Sequence, residues 1–116
     1  MKILVIDDDS DIAALMLLNL KKKGVDGESV NNGDEAIKWL KNNSADMILL
    51  DMLLPDKNGP EILQEIRTFS STPVIILTAK DISNSETAEL LEKGAQAIRS
   101  KPPKFDELIQ LMNEYK

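Results

Sequence analysis

Four short apolar runs in this chain are each followed by a residue that can do chemistry. Asp7-Asp8-Asp9 stands directly behind Ile3–Ile6, Asp51 behind Met47–Leu50 and Thr78 behind Val74–Leu77, while Lys101 lies just past Ala95–Ile98. Singly these residues say little: a lone Asp after a strand is usually a turn residue, and a lone Thr usually bonds its own backbone. Gathered on one rim they become a reactive set. Two unit charges 4 Å apart repel by about 4 kcal/mol at an effective dielectric near 20, so crowded carboxylates must protonate, splay apart or bind a cation. Hard oxygen donors in a chain without His or Cys favour Mg²⁺, with Mn²⁺ as a substitute. A carboxylate beside such an ion can act as a nucleophile toward phosphorus and form an aspartyl-phosphate. A lysine then neutralises the incoming charge and a hydroxyl donates to one phosphoryl oxygen. Asp51, Asp8, Lys101 and Thr78 supply these groups.

The elements that must position them are legible. The runs Ile3–Ile6, Met47–Leu50 and Val74–Leu77 are continuous rather than alternating, as expected of parallel strands covered on both faces. Glu28–Val30 and Ala95–Ile98 are weaker strands. Between them lie helical stretches with end signals: Ser10 or Asp9 as a cap and Gly24 as a stop, Asn32-Gly33, Asn58-Gly59-Pro60-Glu61, a capping box at Ser83–Glu86 ended by Gly94, and a last helix over Lys104–Tyr115. Five βα units predict a single domain over residues 1–116, a three-layer α/β/α flavodoxin-like sandwich. The strand order 2-1-3-4-5 is taken from the known doubly wound sheets. It sets strands one and three side by side at the switch point where ligands bind.

Composition narrows the partners. A net charge of −6 argues against nucleic-acid binding, and the one basic run, Lys21–Lys23, falls where a helix dipole favours cations. No stretch reaches the roughly 20 apolar residues of a membrane span. The absence of Cys fits a reducing cytoplasm. Without His, any phosphohistidine chemistry requires a second protein. The first helix carries more apolar residues than one stripe needs, Ile12, Leu15, Met16, Leu17, Leu18 and Leu20 among them; most are expected in the core. Trp39 and Tyr115 are assigned to packing.

With these residues placed, the chain resembles a response-regulator receiver domain over its whole length. The resemblance rests on Asp7-Asp8 after Lys2–Ile6, on Asp51-Met52-Leu53-Leu54-Pro55-Asp56-Lys57-Asn58-Gly59, on Leu77-Thr78-Ala79 and on Ser100-Lys101-Pro102. It implies that Asp51 accepts phosphate from a sensor histidine kinase or histidine phosphotransfer protein. Asp8, Asp51 and the Leu53 carbonyl would ligate Mg²⁺, and Asp7 would reach it through water. Thr78 and Lys101 would hold phosphoryl oxygens, and Lys101–Pro102 would be a cis peptide. Ile12 and Leu15 would dock the partner, next to Pro103, which stands where the family often has an aromatic residue. Ile98 stands where the family usually has Tyr or Phe, a departure that removes the ring of the usual threonine-to-aromatic switch. The resemblance also implies a downstream protein or a missing output domain, since the residues present make a receiver with none.

Two rival readings use the same residues. A haloacid-dehalogenase-like phosphatase would employ Asp7 as nucleophile, with Asp9-Ser10 loosely fitting its motif, but would leave Asp51 idle. A receiver-like module used only for protein binding would need no phosphorylation at all.

Overall fold

The structure is a computed structural model, described here for all residues except 80, 81, 102 and 116. Five strands alternate with five helices: β1 Lys2–Ile6, α1 Ser10–Lys22, β2 Asp26–Val30, α2 Gly33–Asn42, β3 Met47–Asp51, α3 Gly59–Arg67, β4 Val74–Thr78, α4 Asn84–Glu92, β5 Ala97–Ser100 and α5 Phe105–Glu114. All pairings between these strands are parallel, in the order β2-β1-β3-β4-β5. The three-layer α/β/α sandwich expected of the sequence is the fold observed.

The continuous apolar runs divide their residues between two cores. Ile3, Val5, Met47, Leu49, Ile75 and Leu77 face α1 and α5. Leu4, Ile6, Ile48, Leu50, Val74 and Ile76 face α2, α3 and α4. Successive side chains of a strand point to opposite sides, so a strand covered on both sides must be apolar throughout. Full burial of each Leu or Ile stabilises by about 1.5–3 kcal/mol. β2, on the sheet edge, is polar by contrast, and Glu28 there pairs with Lys2 at 3.0 Å and accepts from Trp39 Nε1 at 3.2 Å. Trp39 also packs against the second core, as expected. Tyr115 does not fit its assignment to packing: it caps α5 and is 41% exposed.

Two strand boundaries depart from expectation, and the cap of α1 is decided between its two candidates. Asp9, not Ser10, caps α1: its carboxylate accepts from the amides of Asp11 and Ile12, both at 3.1 Å. β2 begins two residues earlier than its apolar content suggests, because Lys2 pairs with Asp26 at the solvated edge. β5 starts at Ala97 rather than Ala95 and runs through Arg99 and Ser100. Gly94, with φ at +111°, ends α4, and the Ala95 amide bonds back to the Leu90 carbonyl at 3.1 Å, leaving Ala95 in the cap of that helix. Arg99 is accommodated in the edge strand by pairing with Glu107 of α5.

Arg67 closes the sheet at the end where the helices finish. Its guanidinium donates to the carbonyls of Gly94 (2.8 Å from Nη2) and Ser70 (3.1 Å) and to Gln96 Oε1 (3.0 Å), while Gln96 Oε1 also accepts the Val74 amide at 2.6 Å. A Cβ on Gly94 would lie 2.7 Å from Arg67 Nε, and the positive φ disfavours any L side chain. Gly94→Ala is expected to lower stability by about 1–2 kcal/mol, seen as a lower denaturant midpoint with an unchanged slope.

Candidate functional site

The sheet order makes β1 and β3 neighbours, with Ile6 opposite Leu50. The carboxylates that follow therefore converge at the carboxyl end of the sheet. Oxygens of Asp7, Asp8 and Asp51 all lie within 4.8 Å of one another. At that separation the Asp7 and Asp51 charges repel by about 3.5 kcal/mol at an effective dielectric near 20. Lys101, the first residue after β5, relieves this: Nζ stands 2.7 Å from Asp7 Oδ2 and 3.3 Å from Asp51 Oδ2.

The three acids differ in their surroundings. Asp7 is 2% exposed, and each of its oxygens already accepts a hydrogen bond, Oδ1 from the Asp9 amide at 3.0 Å and Oδ2 from Lys101. Asp8 is exposed. Asp51 is the last residue of β3, with a side chain 12% exposed. Burial pushes its carboxyl above the usual carboxylate range; the Lys101 ammonium opposes this, Asp7 adds to it, and the Leu53 amide opposes it through a hydrogen bond. For Lys101, burial is the largest single influence and acts downward. The hydrogen bond it donates to Asp7 and the charges of both acids outweigh it, so the ammonium is held above its ordinary value.

Thr78 and Lys101 are joined through the backbone. Thr78 ends β4, is 4% exposed and pairs with Ser100, and its carbonyl accepts the Lys101 amide at 2.8 Å. Both stand at the same end of the sheet as Asp51. The donor set fits a hard divalent cation: clustered carboxylate oxygens, those of Asp8 exposed, in a chain without His or Cys.

The loop that carries Leu53 is tightly folded. The Met52 amide donates to the Leu77 carbonyl at 3.1 Å, the Gly59 amide returns to the Met52 carbonyl at 2.7 Å, and Leu53 bridges Asn58. Gly59 permits this turn, since a Cβ there would sit 3.1 Å from Met52 Cα. Asn58 caps α3 by accepting the Glu61 amide at 3.0 Å. Asp56, which sequence reading did not single out, reaches across to α2 and accepts the amides of Gly33 at 2.8 Å and Asp34 at 2.9 Å. No local signal marks such a bond between residues more than 20 positions apart in sequence.

The residues expected to dock a partner also meet. Ile12, Leu15, Met16, Lys101, Pro103 and Phe105 line one largely apolar groove of about 430 Å³ beside the acidic cluster. Ile12 and Leu15 are exposed, as is Leu18, while Met16 and Leu20 are buried, so α1 divides its apolar residues between core and surface. Pro103 is buried. Ile98 is half-buried and packs on the α2–α3–α4 core. The cis peptide expected at Lys101–Pro102 falls outside the described residues.

A family model, the response regulator receiver domain, matches residues 3–113. Among solved structures, the chain is similar to the receiver domain of the Francisella response regulator 1452, with 35% identity and a TM-score of 0.89 over 98% of this chain and 94% of that one. A two-component response regulator from Clostridium difficile superposes with a TM-score of 0.92 at 26% identity, over 99% and 94% of the two chains. The BeF3-activated N-terminal receiver domain of Klebsiella pneumoniae RstA gives 0.90 at 27% identity, over 99% and 97%.

The upward shift at Asp51 has a consequence for stability in a chelating buffer. A carboxyl whose folded pKa is raised binds its proton more tightly when folded, so its contribution is most favourable below about pH 4 and declines as pH rises through the folded value. Asp51→Asn, which mimics the neutral acid, is expected to raise the unfolding midpoint at pH 7, with the gain shrinking toward pH 3. Thermal melts of both proteins across that range check it.

Proposed function

Since the chain belongs to the response regulator receiver domain family, we propose that Asp51 is its phosphoryl acceptor, charged by a sensor histidine kinase or histidine phosphotransfer protein in a Mg²⁺-dependent step. The observation that carries this reading is the contrast between Asp51 and Asp7. Asp7 is sealed in, with both oxygens engaged, and serves as a fixed anchor for Lys101. Asp51 keeps an exposed edge, where an incoming phosphoryl group can reach a carboxylate oxygen. The same contrast weighs against Asp7 as the nucleophile of a phosphatase.

In the proposed reaction a carboxylate oxygen of Asp51 attacks phosphorus. The P–N bond to the donor imidazole breaks as the O–P bond forms, and the imidazole keeps the electron pair. Lys101, already 3.3 Å from Asp51, meets the negative charge of the transferred group, and the Thr78 hydroxyl donates to another of its oxygens. Asp8, Asp51 and the Leu53 carbonyl would hold Mg²⁺, with Asp7 contributing through water; Mn²⁺ would serve the same donors. When bound, the cation neutralises charge that the carboxylates and phosphoryl oxygens would otherwise share. The RstA receiver, 27% identical, is BeF3-activated, which supports a comparable site here.

The groove of Ile12, Leu15 and Pro103 is the proposed docking face for the histidine-bearing partner. It adjoins Lys101, so a partner seated there brings its imidazole close to the acceptor. Residues 1–116 are proposed to work as one receiver unit acting on a downstream protein or an output domain, in the cytoplasm. No helix among the described residues is long and apolar enough to cross a membrane.

Incubation with Mg²⁺ and acetyl phosphate should add one phosphoryl group, labile to hydroxylamine and visible by intact mass. Asp51→Asn should abolish it, and Lys101→Gln should slow it by about a hundredfold, the usual cost of one charge-stabilising donor. Labelling that survives Asp51→Asn but not Asp7→Asn would transfer the assignment to Asp7. Leu15→Asp should slow transfer from a cognate kinase more than tenfold yet leave acetyl phosphate labelling unchanged; equal loss with both donors would remove the docking role.

A further inference from the structure

Asp56 closes the amino end of α2 from another part of the chain. The first three amides of that helix all have side-chain acceptors: Gly33 and Asp34 donate to Asp56 at 2.8 and 2.9 Å, and Glu35 donates to Asn32 Oδ1 at 2.8 Å. A carboxylate suits this position because both oxygens accept and the helix dipole favours negative charge. The same hydrogen bonds, the one from Gly33 foremost, hold the Asp56 carboxyl below its ordinary range. The approach is close enough to need glycine, since a Cβ on Gly33 would collide with Ile62 of α3 and stand 3.3 Å from Asp56 Oδ1.

The base of the 52–59 loop is held separately, by the bonds of Met52 and Gly59. Leu53, bridged to Asn58 at that base, leads directly into the segment that ends at the Asp56 contact. Its side chain is 67% exposed, so packing does not fix it and backbone bonds must. Lys57 adds ion pairs to Asp34 and Glu65, but these are solvent-screened pairs of small net value.

We propose that Asp56 is a positioning residue for the phosphorylation site: its clip onto α2 fixes the loop, and thereby the Leu53 carbonyl offered to the cation. This rests on the reading of Asp51 and its Mg²⁺ site given above. It concerns how the cation site is held in shape, beyond which groups ligate it.

The test measures Mg²⁺ affinity by isothermal titration calorimetry, and acetyl phosphate labelling rate as a function of Mg²⁺, in the wild type, Asp56→Ala, Asp56→Asn and Gly24→Ala. Gly24→Ala strains a positive-φ glycine at the opposite end of the sheet and controls for lost stability alone. Asp56→Ala is expected to weaken Mg²⁺ binding by about tenfold, as for other groups that orient a metal ligand. Its labelling should slow at low Mg²⁺ and converge on the wild-type rate at saturation. Asp56→Asn keeps one acceptor oxygen and should fall between, which preserves the test if the alanine variant folds poorly. Gly24→Ala should melt earlier yet bind Mg²⁺ like the wild type. Unchanged Mg²⁺ affinity in both Asp56 variants overturns the proposal, as does an equal loss in Gly24→Ala. A wild type that neither binds Mg²⁺ nor takes the phosphoryl group overturns the underlying reading and this one with it.

Discussion

Like charges held close together govern this molecule. Asp7, Asp8 and Asp51 are brought within 4.8 Å of one another because the strands they follow are neighbours, and those strands are neighbours because their apolar residues fill two cores at once. The hydrophobic driving force of the sheet thus sustains an electrostatic arrangement that would disperse in a free chain. Among the described residues, Lys101 pairs with two of the three carboxylates, Asp7 and Asp51, and so limits the repulsion without cancelling it. Clustered carboxylate oxygens of this kind suit a hard divalent cation.

This dependence explains how much could be read from the residues. Continuous apolar runs report burial on both faces, so the strands, their parallel pairing and the layer architecture were legible. The residues behind those runs inherited their positions from the strands, and Asp7, Asp8, Asp51, Thr78 and Lys101 do share one end of the sheet. Less legible were features set by solvated or long-range bonds. β2 and β5 extend into polar residues because edge strands need fewer apolar side chains, as Asp26 and Arg99 illustrate. Of the two cap candidates, Asp9 and Ser10, Asp9 holds the position because its carboxylate can accept two amides at once. The Asp56 bond to α2 left no local trace at all.

Around the site, the structure separates rigid from adaptable surface. Asp7 and Thr78 are buried and Lys101 is held by two acids, so these groups are set before any partner arrives. The neighbouring groove is apolar and open, with Leu15 58% exposed. Ile98, lacking a hydroxyl or a ring, packs as an ordinary core side chain against the α2–α3–α4 face. A signal passed through it would be carried by packing, with no polar group to exchange.

The Arg67 fork gives this arrangement a mechanical sense. By joining the end of α3 to the turn into β5, and through Gln96 to the start of β4, it rivets three elements at the pole farthest from the acids. That pole is therefore joined by one neutral-acceptor network around a single guanidinium, while the opposite pole is joined by the ion pairs of Lys101 with Asp7 and Asp51.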